Sequence, residues 1–81
     1  MLLCIDIGNT NTVLGLYQGN ELATHWRIST DHDRMPDEYA MVMINLFAHA
    51  GYQARDVDDV IMASVVPPLT DRFQEMVVSY L

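Results

Sequence analysis

The chain reads as one α/β unit, with the order β-β-β-α-β-α on a mixed sheet, and three observations carry that expectation. Leu2 to Ile7 and Val60 to Val66 are short, nearly unbroken apolar runs, the pattern of strands inside a sheet. Between them, Thr12 to Tyr17 and Leu22 to Ile28 are rich in strand formers and are bracketed by Gly and Asn turn residues. Two stretches, after Pro36 and after Pro68, repeat apolar residues every three to four positions, as helices with one buried stripe do. With 81 residues, of which 51% are hydrophobic and 19% charged, the chain is too short for two domains.

Leu2 to Ile7 is expected to be a central strand, buried on both faces. Gly8-Asn9-Thr10-Asn11 then supplies a turn, because Gly and Asn tolerate positive φ, and Thr12 to Tyr17 returns as the second arm of a hairpin. Gln18-Gly19-Asn20-Glu21 is a further tight-turn signal. From there Leu22, Thr24, Trp26 and Ile28 alternate with Ala23, His25 and Arg27, which makes a third antiparallel strand. Ser29 to Met35 is polar and is expected to be a loop. Pro36 suits the first turn of a helix, Asp37 and Glu38 suit the positive end of its dipole, and Gly51 is its stop.

That helix is expected from Pro36 to Ala50, with Tyr39, Val42, Met43, Leu46, Phe47 and Ala50 facing the sheet. Met41, Ile44 and Ala48 lie off the stripe and leave it apolar most of the way round. Cover by a second subunit or by further chain explains this, and so does simple tolerance of Met and Ala. Val60 to Val66 follows a helix, so its connection is a crossover to a parallel neighbour, ended by Pro67-Pro68. A second helix is expected from Leu69 to the last residue, with Leu69, Phe73, Met76, Val77, Tyr80 and Leu81 on one stripe. No Gly, Asn or basic residue closes it, and the domain is expected to be unfinished at Leu81.

Composition narrows the function. Eleven acidic residues against four arginines and no lysine give a net charge of −7, the reverse of a nucleic-acid binder's basic footprint. Without lysine there is no Walker A loop, so a nucleotide must be held by backbone amides, small polar side chains and a metal ion. Cys4 is the only cysteine, which excludes an internal disulfide and suits a reducing, cytoplasmic setting. No stretch approaches the roughly 20 apolar residues that span a bilayer. Neither nucleic acid nor membrane is expected as a partner.

The chemistry is concentrated in Asp6-Ile7-Gly8-Asn9-Thr10-Asn11-Thr12-Val13. A turn opening on Gly8 can gather successive N–H groups around an anion, with Asn9, Thr10, Asn11 and Thr12 adding donors of little bulk. An acid buried at the end of a central strand needs compensation, which a hydrated Mg²⁺ near Asp6 bridging nucleotide phosphates would supply. Equally, Asp6 can accept hydrogen bonds from its own turn while Gly8-Asn9 shapes the hairpin; the two readings are compatible.

Asp6-x-Gly8-Asn9-Thr10-Asn11-Thr12 is followed by His25-Trp26-Arg27-Ile28-Ser29-Thr30, by Asp37-Glu38-Tyr39 and by Ser64-Val65-Val66-Pro67-Pro68-Leu69. In that order, and over essentially all 81 residues, these motifs resemble the start of a type III pantothenate kinase. The resemblance implies the ribonuclease H-like, actin-like ATPase half-domain, of which residues 1–81 would be the first part. It also implies ATP-dependent phosphorylation of pantothenate to 4'-phosphopantothenate, the first step of coenzyme A biosynthesis. By resemblance, Asp6, Ile7, Gly8, Asn9, Thr10, Asn11, Thr12 and Val13 contact the ATP phosphates and Asp6 organises Mg²⁺. A monovalent cation, K⁺ or NH₄⁺, and a homodimer are implied as well.

The family's catalytic base is the aspartate of a Gly-x-Asp-Arg motif, and no such motif occurs here. Asp33-Arg34 and Asp71-Arg72 are the only Asp-Arg pairs, and Asp31 and Leu69 stand where each would need glycine. The base is therefore expected beyond Leu81, and the 81 residues alone are expected to be inactive. A non-catalytic nucleotide-binding or regulatory module of the same superfamily is the alternative from a different class, and a purely structural piece is a third. Of the remaining candidates, Asp31-His32-Asp33 with His25 has the residue types of a metal site but reads better as a solvated loop. Cys4, Met41, Met43, Met62 and Met76 read as core filler. Ser64, at the end of a parallel strand, suits either a cleft lining or a turn.

Overall fold

The computed structural model describes all 81 residues and contains the expected order of elements. The strands are β1 (Leu2–Ile7), β2 (Asn11–Gln18), β3 (Glu21–Ser29) and β4 (Asp59–Ser64), and the helices are α1 (Pro36–His49) and α2 (Pro67–Tyr80). A single turn of 3₁₀ helix over Ala54–Asp56, which no sequence pattern announced, leads into β4. The sheet runs β3-β2-β1-β4, with β1 antiparallel to β2 and parallel to β4. The chain therefore crosses from the β3 edge of the sheet to β4 on the other side of β1 by way of α1.

Alternation along the strands sorts the side chains. Leu3, Ile5 and Ile7 of β1 stand beside Leu16, Leu14 and Thr12 of β2, and all six are buried. Both helices cover this face: Tyr39, Met43 and Phe47 of α1 and Leu69, Phe73 and Met76 of α2 join the same core. Phe47 stacks on Trp26 of β3 at 5.4 Å between ring centroids, and Tyr39 meets Phe73 at 4.3 Å, so aromatic contacts tie helix to sheet and helix to helix. Outside the core, Tyr80 donates a hydrogen bond to Asp37 Oδ1 at 2.8 Å. That bond to a carboxylate, followed by desolvation and the carboxylate's charge, raises the phenol above its ordinary pKa.

Several expectations are corrected. β1 is buried on one face only: Asp6 is exposed and Cys4 half-buried, because both helices lie on the opposite side of the sheet. Leu22 also leaves its predicted face. The β2–β3 register shifts between Leu16 and Tyr17, so that Leu16 pairs with Thr24 and Tyr17 with Leu22, and the extra residue turns Leu22 onto the uncovered side, 46% exposed. β4 ends at Ser64 rather than Val66, since Ser64 Oγ accepts from Val66 N–H and donates to Val66 C=O, folding the chain into a turn. Pro67 and Pro68 then open α2 rather than precede it; neither could have supplied an N–H to the helix ladder in any case.

Along α1, Ala50 is exposed and not part of the buried stripe, and Ala40 is buried in addition to the predicted residues. Met41 is 48% exposed and Ala48 is exposed on the outer side. Gly51, at φ 88°, does close α1. No helix is long and apolar enough to cross a membrane. Because Phe47 is fully buried against Trp26, Phe47→Ala is expected to lower unfolding free energy by about 3–5 kcal/mol in urea titration. In a chain this small that is a large fraction of the total.

Candidate functional site

The β1–β2 turn stands where the central strand ends. Gly8 N–H donates to Asn11 C=O at 2.9 Å, closing the turn. None of Gly8, Asn9, Thr10 and Asn11 has positive φ, which corrects the expectation that Gly and Asn are there for left-handed backbone. The need for glycine is one of space: a Cβ on residue 8 would lie 2.8 Å from the Asn11 carbonyl oxygen. Asn9, Thr10 and Asn11 are exposed, and the N–H groups of Asn9 and Thr10 make no hydrogen bond within the protein. Their side chains are likewise without protein partners, so the turn presents free donors to whatever approaches it.

Thr12 and Thr30 hold the turn from beneath. Thr30, just past the end of β3, donates from Oγ1 to Gly8 C=O at 2.7 Å, and its N–H donates to Thr10 C=O at 2.8 Å. Thr12 Oγ1 lies 2.9 Å from Thr30 Oγ1 in a residue with no exposed surface. With the Thr30 proton directed to Gly8, the Thr12 hydroxyl is the donor of that pair. Sequence reasoning gave Thr30 no role. The signal was present, because a hairpin joining the second and third strands brings the residue after Ser29 alongside the first turn.

A second layer supports Thr30. His32 Nε2 lies 3.3 Å from Asn9 C=O. The buried Tyr39 of α1 donates to Asp31 C=O at 2.6 Å and accepts from Asp31 N–H. Arg72 of α2 donates to the carbonyls of His32 at 2.8 Å and Arg34 at 3.1 Å. The Arg34 guanidinium sits over the Tyr39 ring, 5.3 Å from its centroid. Both Asp-Arg pairs therefore contribute arginines that brace the segment from Thr30 to Met35.

The predicted phosphate-loop residues are thus contiguous in space but differ in setting. Ile7 and Thr12 are buried on the helix-covered face, whereas Asp6 and Val13 are register partners on the uncovered face. Asp6 is exposed, so the argument that burial demands a compensating cation does not hold for this chain. Nowhere do three His, Cys, Asp or Glu side chains converge as a metal site, and Asp31, His32, Asp33 and His25 form none. A lone carboxylate at the root of a turn with free N–H donors has the residue types with which Mg²⁺ is held alongside a nucleotide, by one or two carboxylates plus phosphate oxygens. The donor set fits the metal only in the company of the nucleotide.

Ser64 is committed to the Val66 turn. On the uncovered sheet face, Cys4, Asp6, Val13, Tyr17, Leu22 and Ile61 line a shallow groove of about 490 Å³ over Gly15. Ile61 is 59% exposed there.

Residues 2–81 match the type III pantothenate kinase family. The chain is 49% identical over 80 residues to the type III pantothenate kinase of Halalkalibacterium halodurans, an alignment covering 99% of this chain and 32% of that protein. It is 51% identical over 80 residues to that of Anaeromyxobacter dehalogenans, with the same coverage of both chains. Against the Brevibacillus brevis protein of the same name it is 51% identical over 81 residues, covering 100% of this chain and 32% of the relative. The chain thus spans about a third of the length of the curated relatives it matches.

Gly8→Ala forces the turn open against a backbone oxygen that cannot rotate away. It is expected to cost about 1–3 kcal/mol in urea titration, whereas Gly19→Ala, with nothing within 4 Å of its Cβ, meets only the strain of φ 62°.

Proposed function

The chain belongs to the type III pantothenate kinase family, and from that premise we propose that it is the first part of an N-terminal ATP-binding half-domain, residues 1–81, of an enzyme that phosphorylates pantothenate. The observation that carries the reading is the turn at the end of β1, whose Asn9 and Thr10 N–H groups are free and exposed while its carbonyls are held from below. Phosphoryl transfer asks a protein chiefly for positioning and charge stabilisation. Asp6, Ile7, Gly8, Asn9, Thr10, Asn11, Thr12 and Val13 form the phosphate loop of this proposal. The N–H groups of Asn9 and Thr10 donate to phosphate oxygens, Asn11 and the Thr10 hydroxyl add side-chain donors, and Gly8 lets the loop close.

Asp6 would hold Mg²⁺, which supplies charge neutralisation when bound with ATP. In the transfer, the bond between the γ-phosphorus and its bridging oxygen to the β-phosphate breaks as one forms to the primary hydroxyl oxygen of pantothenate. The acid that receives the hydroxyl proton belongs to a Gly-x-Asp-Arg motif outside these 81 residues. The bare face of the sheet supports the domain reading, since a groove carrying Leu22 and Ile61 is a surface for further polypeptide to cover. A cytoplasmic homodimer that uses K⁺ or NH₄⁺ completes the proposal; the exposed Met41 on the outer side of α1 is compatible with a partner there.

The test is a hybrid enzyme in which residues 1–81 replace the matching third of the Halalkalibacterium halodurans relative. It is expected to release ADP only when pantothenate is present. Asp6→Asn in that hybrid is expected to lower turnover on the order of 100-fold or more, with circular dichroism unchanged. An Asp6→Asn hybrid with undiminished turnover would remove Asp6 from the mechanism.

A further inference from the structure

We propose that Thr30 is a positioning residue for the phosphate loop, setting the height of the Gly8–Asn11 turn above the sheet without touching the nucleotide. The inference rests on the reading of that turn as the ATP-phosphate site. Thr30 is the one residue outside the hairpin that engages three alternate positions of it: Gly8 through its hydroxyl, Thr10 through its N–H and Thr12 by accepting that residue's hydroxyl proton. The direction of the chain is fixed by counting protons, Thr12 O–H to Thr30 Oγ1 and Thr30 O–H to Gly8 C=O. With the Gly8 and Thr10 carbonyls drawn down toward Thr30, the intervening Asn9 and Thr10 N–H groups are left for an incoming anion.

Thr30 is itself held in place. It is followed by Asp31, clamped on both backbone groups by the buried Tyr39 hydroxyl, and by His32, whose carbonyl is bound by Arg72. Both helices therefore reach the phosphate loop through the segment that opens on Thr30, whose only other contact with the loop is His32 Nε2, 3.3 Å from Asn9 C=O. Removing the Thr30 hydroxyl strands the Thr12 hydroxyl, which has no surface exposed to water, and frees the Gly8 carbonyl.

The test compares wild type, Thr30→Val and Thr30→Ser within the hybrid enzyme in which residues 1–81 replace the matching third of the Halalkalibacterium halodurans relative, in amide hydrogen exchange and in calorimetric titration with Mg·ATP. Thr30→Val keeps the shape and loses the hydroxyl. It is expected to exchange the Gly8 and Thr30 amides roughly tenfold faster than wild type, with the amides of the β1–β2 ladder unchanged, and to bind ATP at least roughly fivefold more weakly. Thr30→Ser keeps the hydroxyl and is expected to match wild type in both measurements. Equal exchange and equal affinity in Thr30→Val would overturn the proposal. So would weakened binding in Thr30→Ser, a variant that decides the matter even if Thr30→Val does not fold. If no chain takes up ATP, the nucleotide reading of the turn falls, and the exchange rates alone decide what Thr30 holds.

Discussion

β1 is the only strand of the sheet with an antiparallel neighbour on one side, β2, and a parallel neighbour on the other, β4. Everything else is placed by that double pairing. The antiparallel neighbour requires a tight turn at the end of β1, and this is the Gly8–Asn11 loop. The parallel neighbour requires a crossover, and this is α1. The aliphatic row Leu3, Ile5 and Ile7 then gives α1 and α2 one common face to cover. A consequence is that both helices stand close to the segment after β3, so Tyr39 and Arg72 reach the Thr30 to Met35 segment that underlies the loop. The site is a product of the core, and the core is organised around one strand.

Much of this was legible in the sequence. The strands, the crossover helix and the Gly51 stop follow from apolar period and turn chemistry, which are local properties. The candidate site was placed at Asp6 to Val13 because a Gly-Asn-Thr-rich turn after an apolar strand offers small donors to an anion, although the same residues serve equally to shape a hairpin. What could not be read was which face of the sheet is covered. Alternation says that Ile5 and Asp6 point to opposite sides, but an apolar run is the same whether a strand is covered on one face or two, and so Asp6 was expected to be buried. Leu22 was misplaced for a related reason: one inserted residue at Leu16/Tyr17 reverses every side chain beyond it, and a bulge leaves no mark in hydrophobic period.

The role of Gly8 shows the same limit on a smaller scale. Its presence in the turn was predictable, but the cause is the approach of the Asn11 carbonyl rather than a left-handed φ, and close approach is a property of the folded pair of strands. Thr30 was missed as a functional residue because its three contacts lie 18 to 22 positions away, and only the pairing of the second and third strands brings it to them. The uncovered face, with its groove over Gly15, belongs with the observation that the relatives are about three times as long.

The turn after β1 is proposed to bind nucleotide phosphates through its free N–H groups. The most direct measurement is a titration of the ¹⁵N-labelled chain with Mg·ATP followed by amide chemical shifts. Saturable shifts centred on Asn9 and Thr10, extending to Gly8 and Asn11 and leaving the groove residues Gly15, His25 and Ile61 unmoved, are the predicted result. Shifts confined to the groove, or none at the turn at any ATP concentration, would contradict it.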